Sequence, residues 1–137
     1  MASSFIEFRG YGFWSFDRFV EEVAGEAAGL LEARANKEDW RRRLADHWRL
    51  VAKGCFPAFI DLELDEVLTN DDWCDELCAI LNDVARRHPR EEPIRETAEM
   101  MVELLQGRLK MDASHSLHYM VKLPDNWMVK HPWPNAG

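Results

Sequence analysis

Apolar residues in this chain recur mostly at steps of three and four, the spacing of one helix face. Phe16, Phe19, Val20, Val23, Ala27, Leu30 and Leu31 predict an amphipathic helix running to about Ala35. Ser15 is its expected N-cap, and Asp17 lies in the first turn, where an anion suits the positive helix end. Gly25 and Gly29 weaken this helix by about 1 kcal/mol each relative to Ala, or permit close helix packing. Trp40, Leu44, His47 or Trp48, and Val51 predict a second helix, capped by Asn36, with Glu38 and Asp39 in its first turn. It closes at Lys53, with Gly54 as the C′ residue. Trp73, Leu77, Ile80, Leu81 and Val84 predict a third, which begins at Thr69 or Asn70 and is stopped by His88-Pro89. Pro93 opens a fourth, striped by Ile94, Ala98, Met101, Leu105 and Leu109.

Elsewhere the period changes. Phe5 to Phe8 alternates weakly before the glycine pair in "RGYG", which predicts a short extended piece and a turn. Ile60, Leu62 and Leu64 alternate with Asp61, Glu63 and Asp65, as in an extended segment with carboxylates outward. Leu64, Val67 and Leu68 also fit a helical period, so both forms remain open over 61–68. A short helix is expected near Ser114 to Val121, then an irregular tail from about residue 123, pinned by Trp127 and Trp133. The expected fold is mainly α: one domain over residues 1–137, a bundle of about four helices with a short extended N-terminal segment.

Charge sharpens this picture. The 137 residues carry a net charge of −8. Nine of the 25 acids fall between Asp61 and Ala85, a span with no Lys or Arg. That leaves 16 acids against all 17 bases elsewhere, so the acidity belongs to one segment. Phosphates are repelled by such a face and a basic protein is attracted to it, so no nucleic-acid partner is expected. The helix dipole accounts for Asp71, Asp72 and Asp75, but not for Asp61, Glu63, Asp65 and Glu66 upstream of the cap. A solvated charge run is the plain alternative.

Other chemistries find weaker support. Cys74 and Cys78 share a helix face, and His88, His115 and His118 could add nitrogens. The paired knuckles of structural zinc are missing, and no metal or cofactor is expected. Ser114, Ser116 and the histidines fall in no nucleophile elbow, zincin motif or phosphate loop, so no enzyme is expected. Paired acids such as Glu63 and Asp65 suit a divalent cation, but solvated surface is the simpler account. Arg41, Arg42, Arg43 and Arg49 form a basic patch on the second helix, interrupted by Glu38, Asp39 and Asp46. The longest apolar run, Cys55 to Ile60, is too short for a membrane span. No basic-then-apolar leader opens the chain, and three cysteines fit free thiols, so a cytoplasmic location is expected.

Four stretches in order carry a family resemblance. "FIEFRGYGFWSFD" is similar to an F-R-G-x-G-F-W motif followed by Asp. "LADHWRL" and "DLELDEVLTNDD" resemble an H-W stretch and a D-x-x-L-D-E-x-L-T-D stretch, and "VELLQGRLK" resembles a late L-L-x-G-x-L element. Together, over residues 5 to 110, they resemble small bacterial cytosolic immunity proteins of polymorphic toxin systems, including contact-dependent growth inhibition. The segment from Met111 onward departs from that pattern. The resemblance implies a partner: a cognate toxin domain with a basic surface, often a nuclease. It brings no catalytic residue with it. On this view the partner-binding residues are Asp61, Glu63, Asp65, Glu66, Asp71, Asp72 and Asp75, with Trp73 and Trp14 as candidate buried anchors. The alternative is a cytosolic interaction or regulatory module with an unrelated partner.

Overall fold

A computed structural model describes residues 3–37, 39–54, 59–108 and the backbone of 119–122. The chain opens with a hairpin, β1 (Ser3–Phe8) and β2 (Tyr11–Phe16), paired antiparallel from Ser3↔Phe16 to Phe8↔Tyr11. The two turn residues, Arg9 and Gly10, both have positive φ, 49° and 84°. This is the mirror-image turn that matches strand twist, and Gly10 adopts it without a Cβ penalty. The weak alternation in this region has a cause: both faces of the hairpin are largely covered. Ile6, Phe8 and Phe13 join the main core, while Phe5 and Trp14, directly opposed, pack edge to face at 5.4 Å on the other side.

Close packing there leaves no room beside Gly12. A Cβ at this position would meet the Phe5 ring and stand 2.5 Å from the Ile6 carbonyl oxygen. Gly12→Ala is expected to destabilise by about 1–3 kcal/mol. Gly29 on the first helix faces open space, so Gly29→Ala is expected to stabilise by about 0.4–1 kcal/mol. Denaturant midpoints of the two variants should move in opposite directions.

Helix α1 (Asp17–Arg34) follows β2 without a loop. Its N-cap is Phe16, not Ser15. The expected cap fails because Ser15 is a buried strand residue whose hydroxyl meets that of Thr97 at 3.3 Å. Helix α2 (Trp40–Ala52) is capped by Asp39, whose side chain accepts from the Arg41 N–H at 3.2 Å. Asn36 lies a turn too early; its own N–H donates to Asp39. Trp48, fully buried, supplies the core position that His47 shared in the pattern. Gly25 of α1 does permit close packing: a Cβ there would lie 3.2 Å from that of Ala52.

Residues 60–63 belong to neither helix nor strand, with Ile60 and Leu62 buried and Asp61 exposed, and Leu64–Val67 then makes one helical turn, α3. The alternation of burial thus holds over Ile60–Leu62, and the helical period over Leu64–Val67. Helix α4 (Asp71–Arg86) is capped by Asn70, which accepts from the Trp73 N–H at 3.0 Å. Helix α5 (Pro93–Leu105) starts on its proline and ends before Gly107, at φ 70°. Leu109, assigned above to its stripe, lies outside the described residues. The helices pack α1 on α2 and α4 on α5, with α1 bridging the pairs and α5 touching both hairpin strands.

The fold is mainly helical, as the pattern predicts, with one addition. Tyr119–Lys122 forms β3, antiparallel to β2 from Trp14↔Tyr119 to Tyr11↔Lys122. This corrects the helix expected near Ser114 to Val121, at least over 119–121. The run "YMVK" carries an aromatic and a β-branched residue, and the edge of β2 offers it a backbone ladder. Residues 114–118 and the tail from 123, with Trp127 and Trp133, lie outside the described residues.

Candidate functional site

The segment 60–63 is pinned from two sides. The Ile60 N–H donates to Ser4 Oγ at 2.8 Å, and that buried hydroxyl donates to Asp17 at 2.7 Å. From α2, His47 Nε2 meets the Asp61 carbonyl, and Trp48 Nε1 donates to the Leu62 carbonyl at 3.0 Å. The Glu63 carboxylate lies 3.2 Å from Arg43 and 3.0 Å from His47 Nδ1. Glu63 itself adopts a left-handed backbone, φ 56°, and donates its N–H to Asp61 Oδ1 at 2.9 Å. That conformation costs a residue with a Cβ on the order of 1–3 kcal/mol, which the surrounding contacts must hold in place.

This pinned segment and β1 enclose a groove of about 180 Å³. Its apolar lining includes Phe5, Trp14, Phe59, Ile60, Leu62 and Leu64. Glu7, Asp61, Glu63, Asp65 and Glu66 supply carboxylates to the same groove. Trp14 stands between Phe5 and Phe59, edge to face with both, the second at 6.4 Å. Sequence reasoning missed Glu7 and Phe59. Phe59 had a signal: it falls on the outward phase of the 60–65 alternation, yet it is apolar, and it is half exposed. Glu7 sits exposed between buried Ile6 and Phe8 on β1.

The acidic residues divide into engaged and unengaged groups. Asp65 accepts from the Arg9 N–H at 3.0 Å, and the Arg9 guanidinium reaches Asp71 at 3.3 Å. The hairpin turn thereby ties the groove to the start of α4. Glu63 is held by Arg43, and Glu76, outside the predicted set, accepts from both Nε and Nη2 of Arg41. Asp61, Glu66, Asp72 and Asp75 are exposed and make no ion pair among the described residues. Asp71, Asp72 and Asp75 do not line the groove; they extend its acidic surface along α4. Trp73 stacks on Trp40 at 5.5 Å and 18°, half-buried against the core.

The basic patch expected on α2 is consumed internally. Arg41 binds Asp39 and Glu76, Arg42 and Arg49 bind Glu32, and Arg43 binds Glu63. Hydrogen bonds that it donates to Glu76 and Asp39 hold Arg41 firmly charged against the cost of its burial. Reciprocally, Arg41 lowers the pKa of Glu76.

Cys74 and Cys78 are buried on the inner side of α4. Burial raises the pKa of both thiols, that of Cys78 to about 11, which disfavours the thiolate needed of a ligand or nucleophile. His115 and His118 lie outside the described residues. One different group, Glu22, Glu26 and His88, places potential ligand atoms within 4.8 Å of one another. Both His88 nitrogens are already engaged there, Nε2 with Glu26 at 2.7 Å and Nδ1 with Glu92 at 2.8 Å. Arg87 also approaches Glu26, and Arg95 donates to the His88 carbonyl.

Partial burial lowers the His88 pKa, but the hydrogen bonds to Glu26 and Glu92 outweigh it and the net shift is upward. A raised folded pKa stabilises the protein fully below the unfolded value of 6.5 and loses that effect as pH rises through the folded value. His88→Gln is therefore expected to lower stability by about 1 kcal/mol in mild acid and by less in alkali. Urea melts of both proteins across that range check it.

No protein-family model, curated protein or solved structure matches this chain. Among the described residues no helix is long and apolar enough to cross a membrane.

Proposed function

We propose that this chain is a non-catalytic immunity protein, one that neutralises a toxin in the bacterial cytoplasm by binding it directly. The partner is a toxin domain with a basic surface, best fitted by a nuclease whose cleft is built for phosphates. The observation that carries this is the pinned groove, with exposed carboxylates at Asp61 and Glu66 and more along α4 at Asp72 and Asp75. A preorganised anionic surface speeds encounter with a cationic one and loses little entropy on docking.

The motifs of the resemblance also meet in space. Arg9 of the first contacts Asp65 and Asp71 of the third. His47 and Trp48 of the second contact Asp61, Leu62 and Glu63 of the third. These contacts give the motif residues a scaffolding role, and leave the exposed carboxylates as the surface available to a partner. The fourth motif, at the end of α5, contributes a helix stop at Gly107 and no groove residue.

The test is co-expression with the product of the gene adjacent to this chain's own. Expected are one-to-one co-purification, loss of nuclease activity in the purified complex, and rescue of growth. Separate elution with undiminished toxicity would overturn the proposal.

A further inference from the structure

The groove is smaller than a typical small-molecule pocket of roughly 300–1,000 Å³. Its 180 Å³ suits one long side chain. The lining decides which one. An anionic side chain would be repelled by Asp61 and Glu66. An apolar one would suit the floor but strip water from those carboxylates with nothing in exchange.

Resting on the toxin-binding proposal, we infer that the groove receives a single arginine side chain projecting from the partner. Its aliphatic stem lies along Phe59, the half-exposed ring at the mouth, and above the Leu62 and Leu64 floor. Its guanidinium reaches Asp61 and Glu66. Glu63 and Asp65 are held back from this role, the first by Arg43 and the second by the main-chain N–H of Arg9. Asp61 gives one carboxylate oxygen to the Glu63 N–H and keeps the other for the ligand. A guanidinium is less strongly hydrated than an ammonium, stacks on aromatic faces and offers a planar fork to carboxylates. An aromatic mouth with an acidic rim thus favours arginine over lysine.

The experiment uses the full chain, labelled with ¹⁵N, and three capped amino acids: arginine, lysine and citrulline, the last being arginine's neutral near-isostere. Capped arginine is expected to give saturable amide shifts confined to residues 59–66 and β1. Its charge-assisted contacts make it about tenfold tighter than capped lysine, and citrulline should not saturate. Asp61→Asn with Glu66→Gln should weaken capped arginine by about tenfold, and Phe59→Ala by a smaller factor. These are surface changes, and unchanged spectra elsewhere show that each variant is folded. Equal binding of lysine or citrulline, shifts outside the groove, or no saturation would each overturn the inference.

Toxin neutralisation by the Asp61→Asn, Glu66→Gln variant separates this inference from the function it rests on. If that variant neutralises as well as the parent, the arginine contact is refuted and the immunity function stands. If capped arginine binds as described but no adjacent toxin is neutralised, the groove chemistry stands and the immunity function falls.

Discussion

Replacing Asp61, Glu66, Asp72 and Asp75 with Asn or Gln should slow association with the toxin domain by about tenfold or more at low salt. These four carboxylates are exposed and make no ion pair among the described residues, so their field reaches solvent uncancelled. Glu63, Asp65 and Asp71 are left intact because each holds part of the scaffold. The change removes four negative charges from a chain of net −8, all from the surface proposed to meet the partner. Exposed charges act over a Debye length that shrinks from about 30 Å at 0.01 M salt to about 8 Å at 0.15 M. The parent rate should therefore fall steeply with salt, the variant rate should stay nearly flat, and the two should converge. Stopped-flow mixing across that range measures it. Stability should change little, since relief of repulsion among like charges offsets the loss of Asp72 and Asp75 from the positive end of α4. A variant that associates as fast as the parent, with the same salt slope, would remove steering from the account.

Trp48→Ala is expected to have the largest effect on folding, about 3–5 kcal/mol. That is a large share of the roughly 5–15 kcal/mol that holds a typical domain together. Trp48 is fully buried in α2 and belongs to the main core, yet its indole N–H is also a pin of the acidic segment. Trp48→Phe separates the two roles. It keeps much of the ring volume but leaves the Leu62 carbonyl without its donor, at a cost of about 1–3 kcal/mol. With that pin gone, the left-handed backbone of Glu63 can relax, and its N–H bond to Asp61 should open more often. Denaturant melts should show the lowered midpoint. Amide hydrogen exchange should show faster exchange at Glu63 than global destabilisation alone accounts for. Exchange there that merely follows the global change would mean the segment does not depend on Trp48.

Local rules read the helices well, because their signals lie within a few residues. Asn70 caps α4 and Pro93 opens α5 where residue type alone places them. The same rules misplace the caps of α1 and α2, where tertiary contacts compete. Ser15 is drawn into the sheet to meet Thr97, 82 residues away, and Asp39 outbids Asn36 through its bond to the Arg41 N–H. β3 was hidden because four residues carry little period of their own, and its reason to be extended is the distant edge of β2.

The acidic segment was visible as charge but not as geometry. Counting carboxylates cannot tell that Arg9 folds back onto Asp65 and Asp71, or that Arg43 and His47 hold Glu63. These partners lie 16 to 62 residues away in sequence. The groove is less legible still. It needs Phe5 and Glu7 from the hairpin beside Phe59 and Glu66, a meeting only the folded chain provides. Trp73, read in the sequence both as an inward stripe residue and as a candidate partner anchor, lies stacked on Trp40 and packed on the core.

The central claim is that a cationic protein docks on the surface formed by residues 59–66 and the start of α4. Amide hydrogen exchange of the full chain, alone and saturated with its toxin domain, tests this directly. The account predicts slowed exchange in 59–66 and in the first turns of α4, with α2 and α5 changing little. Slowed exchange confined to another face, with 59–66 exchanging as in the free protein, would contradict it.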